Sequence, residues 1–331
     1  MPAAAQLDSP TATPGPTEAP RVDRIPFALW HSDRDAFAAR FGGALRETGF
    51  AIVTGHSIPR EAIAAVERGS KAFFALPDAA KRAYADADTH YQRGYSPFGQ
   101  ESAKGRTVAD LKEFWHVGRG TIPGLPATPE VAEVEGFDAA TRTLFDRMDA
   151  LAVELMRAVA IYLGQGAHAF DDGLENGNSI LRLLHYPPLP EAPKEGSERA
   201  AAHEDINLLT LLLGAEESGL QVLHRSGVWM PINAPDGAVV VNVGDMLQRL
   251  TAGWLPSTTH RVVNPSPERS RHSRYSMPFF FHLANDYLID PLPDCVDRAE
   301  AEGRAAEPAI TAGDFLAERL REIGLAKSDA S

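Results

Sequence analysis

The sequence has little cysteine, no long apolar run and a shortage of positive charge. Its 331 residues include a single cysteine, Cys295, so no internal disulfide can form, and a reducing compartment, the cytoplasm, is expected. No run of the roughly 18 apolar residues that a membrane span needs is present. Acidic residues outnumber basic ones by 45 to 32, a net charge of −13. We therefore expect neither a nucleic-acid nor a membrane partner.

The chain is long enough for one large domain, and its texture changes along its length. Residues 1–22 are rich in proline, alanine and threonine and lack the pattern of a secretory signal, which predicts a disordered tail. Residues 23–178 are predicted to form a mainly helical N-terminal region, with helical spacing over 33–48, 60–74 and 137–163. Residues 296–331 are predicted to hold a terminal helix and a frayed end.

The segment 179–295 has a different pattern, with short strand-like runs separated by turn residues. These runs cover residues 180–185, 208–213, 220–224, 228–232, 238–243, 260–263 and 275–283. Several short strands joined by glycine, proline and aspartate are typical of a sandwich or barrel. The sequence thus predicts a mixed α+β fold, in which a helical N-terminal half packs on a β-barrel.

The strongest chemical signal is a pair of ligand-type residues, His203 and Asp205, with His260 farther along the chain. On an extended strand, residues two apart project to the same face. Two imidazoles and one carboxylate are the ligand set of non-haem Fe(II) oxygenases, and they leave open coordination positions. A His-x-Asp pair is common by chance, however, and the same ligands also suit zinc.

A second pattern is Arg274-Tyr275-Ser276, at the start of an apolar run. An arginine entering an apolar strand is costly unless it meets an anion, and its planar fork fits a carboxylate. Alternation places Arg274 and Ser276 on one face, so both could bind the same carboxylate of a dicarboxylate co-substrate. The alternative is an arginine paired with a buried structural carboxylate.

Together these residues resemble the 2-oxoglutarate/Fe(II) dioxygenases, specifically the isopenicillin N synthase-like branch. The resemblance extends over about residues 25 to 290 and includes 49–59 (GFAIVTGHSIP), 73–77 (FFALP), 185–188 (HYPP), 208–212 (LLTLL), 219–222 (GLQV) and 241–245 (VNVGD). One departure is Leu184, where plant members carry asparagine.

The resemblance implies a double-stranded β-helix (jelly-roll) catalytic core over residues 179–295. It implies Fe(II) on His203, Asp205 and His260, and 2-oxoglutarate held by Arg274, Ser276 and Tyr186. With O2, such an enzyme oxidises a small organic metabolite by hydroxylation, desaturation or cyclisation, and it releases succinate and CO2. We expect a monomer or small homo-oligomer.

Three alternatives stay open at this point. One is an Fe(II) oxidase that does not use 2-oxoglutarate, as isopenicillin N synthase-like relatives can be. Another is a zinc hydrolase on the same ligands, and the third is a non-catalytic binding protein on a jelly-roll scaffold. Candidate substrate contacts in the N-terminal region are Arg93, Tyr95, Lys112, Trp115 and His116. Arg182 is expected on the same side of its strand as Tyr186, where it could also contact the co-substrate.

Overall fold

The computed structural model describes residues 21–100, 111–120, 122–188, 199–214, 219–264 and 268–322, with the backbone alone at Arg269. Of the predicted tail, only Arg21 and Val22 fall in these ranges, and the predicted frayed end lies outside them. The helices of the described residues are α1 (Ala28–Ser32), α2 (Arg34–Thr48), α3 (Arg60–Phe74), α4 (Asp78–Arg82), α5 (Phe137–Tyr162), α6 (Asp171–Leu174), α7 (Asp245–Leu250), α8 (Pro293–Ala301) and α9 (Ala312–Glu322).

The strands of the described residues fall into two large sheets and one small pair. They are β1 (Arg24–Pro26), β2 (Phe50–Thr54), β3 (Gly94–Ser96), β4 (Glu113–Gly118), β5 (Ile180–Tyr186), β6 (Ala200–His203), β7 (Leu209–Leu213), β8 (Leu220–Leu223), β9 (Trp229–Pro231), β10 (Val239–Val243), β11 (His260–Val262), β12 (Arg274–Phe281), β13 (Leu288–Ile289) and β14 (Ile310–Thr311).

The larger sheet has the strand order β1-β2-β10-β7-β12-β5-β4-β3, and the smaller one has the order β6-β11-β8-β9. Strands β10, β7, β12 and β5 form the centre of the larger sheet, and neighbouring strands there are antiparallel. Two antiparallel four-stranded layers whose strands come from the same stretch of chain are the jelly-roll arrangement. The prediction of a mixed α+β fold with a jelly-roll core is confirmed.

Alternation along β12 separates a helix-facing side from a barrel-facing side. Met277, Phe279 and Phe281 are at most 3% exposed and pack with α5 residues in the main core, where the ring of Phe279 meets Phe145 edge-on at 5.2 Å. Because side chains alternate along a strand, Arg274, Ser276 and Phe280 face the other way, into the space between the two sheets. The apolar part of that space is a separate cluster built on Phe50, Ile52, Leu220, Val222, Met230, Ile232, Ala238 and Val240.

Gly49 couples the end of α2 to the segment before β11. It ends α2 with a left-handed φ of 74°, which glycine adopts without strain. A Cβ at this position would lie only 2.2 Å from the Thr258 hydroxyl oxygen. The close approach fixes the path of the chain two residues before His260.

The N-terminal half is less purely helical than expected. This half supplies β1 and β2 at one edge of the larger sheet and β4 and β3 at the other edge. The helices predicted over 60–74 and 137–163 correspond to α3 and α5. Among the described residues, no helix is long and apolar enough to cross a membrane. The boundaries 23–178, 179–295 and 296–331 stay predictions.

Candidate metal centre and the cavity around it

The structure brings His203, Asp205 and His260 together between the two sheets. His203 ends β6, Asp205 follows two residues later, and His260 begins β11 directly opposite His203 in the antiparallel register. One ligand atom from each of the three residues lies within 4.8 Å of the others. Asp205 Oδ1 is 3.8 Å from His203 Nε2, and Asp205 Oδ2 is 3.8 Å from His260 Nε2. Three donor groups therefore converge on one point.

Both imidazole rings are oriented by backbone carbonyls. His203 Nδ1 donates to the carbonyl oxygen of Ala201 at 2.6 Å, and His260 Nδ1 donates to that of Thr258 at 3.2 Å. These bonds place the proton on Nδ1 and leave the lone pair on Nε2. A hydrogen bond from the ring nitrogen that does not bind the metal is the usual second contact of a metal-binding histidine.

The carboxylate of Asp205 is also oriented by hydrogen bonds, and these reach only one of its two oxygens. Its Oδ2 accepts hydrogen bonds from the Thr210 hydroxyl at 2.5 Å and from Asn242 Nδ2 at 2.8 Å. Thr210 lies on β7 and Asn242 on β10, and the two are paired in register. Because both bonds go to Oδ2, Oδ1 is the oxygen better placed to bind a cation.

The protonation of the cluster favours cation binding. Loss of hydration lowers the pKa of His203, and the neighbouring His260 lowers that pKa further. Burial alone would raise the pKa of Asp205, but His260 and His203, with the two hydrogen bonds, bring that pKa below its usual value. At neutral pH the cluster is a carboxylate beside a neutral His203 imidazole. Such a mixed nitrogen and oxygen donor set suits Fe(II).

The predicted co-substrate residues lie on two paired strands of the larger sheet. Arg274 is opposite Tyr186 in the register between β12 and β5, and its guanidinium carbon is 5.2 Å from the centroid of the Tyr186 ring. All three residues, Arg274, Ser276 and Tyr186, are at most 3% exposed. The guanidinium carbon of a second arginine, Arg199, lies 5.5 Å from the centroid of the same ring. Arg199 was not identified from the sequence.

A cavity of about 340 Å³ opens beside the three candidate metal ligands and is lined in part by His203 and Asp205. Arg182 borders it between the rings of Phe114 and Phe280, with its guanidinium carbon 4.1 and 5.1 Å from their centroids. Arg182 Nε also donates to His116 Nε2 at 2.7 Å. The expectation that Arg182 shares the barrel-facing side of β5 with Tyr186 agrees with this position.

Only some of the five candidate substrate contacts predicted in the N-terminal region border this cavity. Lys112 and His116 line it. The expectation is wrong for Tyr95 and Trp115, which are 0% exposed in the main core because alternation on β3 and β4 turns them towards the helices. Arg93 is 1% exposed and donates to Asn178 Oδ1 instead of lining the cavity.

Thr210 and Asn242, which orient Asp205, were not identified from the sequence. Their signal is a polar residue inside an otherwise apolar strand, as in LTLLL for β7 and VVVNV for β10. A buried polar side chain needs a hydrogen-bond partner. The partner here comes from a different segment of the chain.

A jelly roll with two histidines and one carboxylate turned into its interior is the arrangement found in the non-haem Fe(II) oxygenase class. Comparison with known proteins agrees. Sequence models of two families match this chain: the non-haem dioxygenase in morphine synthesis N-terminal family over residues 22–133, and the 2OG-Fe(II) oxygenase superfamily over residues 177–283.

Relatives and solved structures resemble the chain over nearly its whole length. The 2-oxoglutarate-Fe(II) type oxidoreductase hxnY of Emericella nidulans is 33% identical over 91% of this chain and 89% of its own. A 2OG-Fe(II) oxygenase family protein from Caulobacter crescentus is 46% identical, with a TM-score of 0.83, over 91% of this chain and 99% of its own. A full-length Neurospora crassa protein, solved in complex with alpha-KG and thymine, is 29% identical, with a TM-score of 0.79, over 91% of this chain and 96% of its own.

The chain belongs to the 2OG-Fe(II) oxygenase superfamily. It is a 2-oxoglutarate-dependent dioxygenase, an oxidoreductase that uses Fe(II), 2-oxoglutarate and O2.

Proposed function

We propose that His203 Nε2, Asp205 Oδ1 and His260 Nε2 hold the catalytic Fe(II). The observation that carries this assignment is the convergence of ligand atoms from these residues within 4.8 Å, while both Nδ1 atoms and Asp205 Oδ2 are engaged elsewhere. Three protein ligands leave coordination positions for 2-oxoglutarate and O2. With Fe(II) bound there, O2 would be the oxidant: it would take two electrons from 2-oxoglutarate, which is converted to succinate and CO2, and two from the substrate.

For 2-oxoglutarate itself, we propose that Arg274 and Ser276 bind the carboxylate farther from iron and that Tyr186 contacts the co-substrate beside them. Arg274 presents a planar set of N–H donors that matches a carboxylate. Its near-complete burial would make any such bond strong, because water does not compete there. The stacking of Arg274 over Tyr186 restricts its orientation.

The residues around the metal would position the reacting groups. Thr210 and Asn242 would hold Asp205 so that its Oδ1 stays directed at the metal. The rings of Phe114 and Phe280 pack near the Arg182 guanidinium and line the cavity beside the three proposed ligands.

The substrate proposed is a small organic metabolite, oxidised by hydroxylation, desaturation or cyclisation. The cavity of about 340 Å³ is at the low end of the size of small-molecule sites. The Neurospora crassa relative was solved with thymine, so thymine is a rational first compound to test. We also place the chain in the isopenicillin N synthase-like branch, on its HYPP and GLQV segments. A cytoplasmic monomer or small homo-oligomer fits the single free, buried Cys295.

The test is consumption of O2 and release of succinate by the full chain, with Fe(II) and with or without 2-oxoglutarate. We expect oxygen uptake only when 2-oxoglutarate is present, and an increase with a true substrate. Uptake that is independent of 2-oxoglutarate would favour the Fe(II) oxidase. Hydrolysis supported by zinc alone would favour the hydrolase.

A further inference from the structure

The last helix of the described residues, α9, forms part of the wall of the cavity beside the proposed metal ligands. Leu316 and Leu320 line this cavity together with His203 and Asp205. Because residues four apart lie on the same face of a helix, the two leucines are neighbours on α9. Both are only partly buried. The helix therefore presents an apolar stripe to a molecule that occupies the cavity.

The first half of α9 is held by the apolar core, but the second half is not. Ala312 and Phe315 are 1% and 6% exposed and belong to the main core cluster. From Leu316 to Glu322, every residue of the helix keeps part of its surface exposed. The half that carries both leucines therefore needs a different attachment to the barrel.

Arg319 supplies an attachment in this second half. Its Nη2 donates to Asp245 Oδ2 at 2.7 Å, and its Nη1 donates to Glu322 Oε2 at 2.8 Å. Asp245, at the start of α7, is 6% exposed, and its backbone N–H donates to the carbonyl oxygen of Asp205 at 2.7 Å. A charged hydrogen bond to a buried carboxylate is stronger than one exposed to water. This ion pair ties α9 to the segment that carries a proposed metal ligand.

The cavity wall also carries charged side chains, and their positions divide it into two parts. On α9 itself, Arg319 is engaged by two carboxylates, one of which is Glu322. Glu204, Lys112 and Arg182 also line the cavity, but they lie on or next to strands β6, β4 and β5. A polar part of a substrate could therefore bind on the side of the sheets, while the leucines of α9 contact an apolar part.

We propose that Leu316 and Leu320 are specificity-determining residues that contact an apolar part of the substrate, and that Arg319 is the positioning residue that keeps them in place. Contact between an apolar group and the two leucines favours binding because water leaves both surfaces. The leucines also limit the length of that group, since buried contacts are closely packed. This inference rests on the proposed function, because it concerns the substrate of the same site.

The test uses the full chain under anaerobic conditions with Fe(II) and 2-oxoglutarate, and the visible charge-transfer absorption shows that this complex has formed. Calorimetry then measures the binding of three uncharged probes with apolar chains of increasing length, 1-butanol, 1-hexanol and 1-octanol. From 1-butanol to 1-hexanol, we expect the affinity to rise about fourfold for each added CH2 group.

Removing the leucine side chains should change both the affinity and the preferred chain length. Leu316→Ala and Leu320→Ala should each weaken the binding of 1-hexanol about fivefold, because apolar contact is lost. Both variants should shift the preference towards 1-octanol, because the space beside α9 becomes longer. Leu288→Ala, at an exposed leucine outside the cavity lining, is the matched control and should bind all three alcohols like the wild type.

Arg319→Ala should weaken the binding of 1-hexanol about 20-fold, as much as the two leucine changes together, because both leucines lose their position. Arg319→Lys, which keeps the charge, should recover part of the affinity. Added to the double variant Leu316→Ala/Leu320→Ala, Arg319→Ala should cause little further loss, whereas an independent structural role would give additive losses. Arg321→Ala, at an exposed position of α9, is the matched control.

The contradicting outcomes are separable. If the absorption forms normally but no alcohol binds, α9 does not contact an apolar part of the substrate. If 1-hexanol binds equally well to the wild type and to both leucine variants, the assignment of specificity to α9 is wrong. If only Arg319→Ala binds like the wild type, the positioning role of Arg319 is wrong. If Fe(II) and 2-oxoglutarate give no absorption in the wild type, the proposed function fails and the inference fails with it.

Discussion

Two buried clusters of histidine and carboxylate lie among the described residues, and their hydrogen bonding differs. In the first, Glu113 accepts from Lys81 at 2.7 Å, from the Tyr95 hydroxyl at 2.5 Å and from His185 Nδ1 at 2.7 Å. His185 Nε2 has the Ser273 hydroxyl at 2.9 Å. In this cluster, which we call the Glu113 cluster, the carboxylate and both ring nitrogens are satisfied by protein.

The cluster of His203, Asp205 and His260 has the opposite property. In each residue, one polar atom makes a hydrogen bond to another protein group, and a second polar atom points towards the other two residues of the cluster. A closed cluster stabilises the fold, whereas a cluster whose lone pairs converge is suited to bind a cation. The direction of the hydrogen bonds, more than the residue types, therefore separates the Glu113 cluster from the proposed metal site.

The largest expected effect follows from removing one of the proposed metal ligands. Asp205→Ala or His203→Ala should reduce turnover by at least about 10³-fold, because the metal supplies several kcal/mol of the catalysis. Turnover is measured as succinate released with 2-oxoglutarate and O2. Circular dichroism checks that the variants stay folded. A folded variant that keeps substantial activity would remove that residue from the ligand set.

Breaking the Glu113 cluster should instead affect stability. Glu113→Gln should lower the free energy of unfolding at pH 7 by about 3 kcal/mol, because it leaves Lys81 buried without its counter-ion. Urea unfolding measures this change. Lys81→Met together with Glu113→Gln should be less destabilised than Glu113→Gln alone, and an equal loss would contradict the pairing.

The same variant gives a pH dependence with a defined sign. Burial by itself would raise the pKa of Glu113, but the hydrogen bonds from His185, Lys81 and Tyr95 lower that pKa overall. The stabilisation is then fully present above the unfolded pKa of about 4.3 and is lost as the pH falls through the lower folded value. The stability difference between wild type and Glu113→Gln should narrow below about pH 4. A constant difference down to about pH 3 would contradict this account.

Removing the proposed carboxylate contact should affect the co-substrate selectively. Arg274→Ala should raise the 2-oxoglutarate concentration needed for half-maximal turnover roughly 30- to 100-fold, as expected for charged hydrogen bonds. The Fe(II) requirement should change far less. Arg274→Lys, which keeps the charge, should lie in between. An unchanged dependence on 2-oxoglutarate in Arg274→Ala would exclude this role.

The smallest effect is expected from the residues that orient Asp205. Thr210→Val removes the hydroxyl that donates to Oδ2 and keeps the side-chain shape, so it should weaken metal affinity roughly tenfold. Competition with a chelator measures that affinity. Thr143→Val, on the exposed side of α5, is the matched control. Equal affinities in the two variants would show that the orientation of Asp205 does not matter.

The sequence was informative wherever a residue's role follows from local spacing. The spacing of His203 and Asp205 predicted that they project together, and their ligand atoms do converge, although β6 ends at His203. The RYS segment places Arg274 and Ser276 on one face of β12. The strand runs of the second half were also predictable, since turn residues separate them. Most of β5, β7, β10 and β12 was found with ends displaced by one or two residues.

What could not be predicted depends on partners from distant segments. Glu113 looks like a surface residue in the sequence, and only the approach of α4 and β5 makes it the centre of a buried cluster. Similarly, Thr210 and Asn242 acquire a role when β7 and β10 pair beside Asp205. The side of β4 that faces the cavity was not predicted either, because the pairing of β4 with β5 determines it.

The central claim, that converging lone pairs distinguish the metal cluster from the Glu113 cluster, is tested by one matched pair of carboxylate-to-amide variants. Fe(II) binding to wild type, Asp205→Asn and Glu113→Gln is measured anaerobically at equilibrium. We predict one ferrous ion per wild-type chain, a similar result for folded Glu113→Gln, and no binding at the same concentrations for Asp205→Asn. Full binding by Asp205→Asn, or loss of binding in a folded Glu113→Gln, would contradict the account.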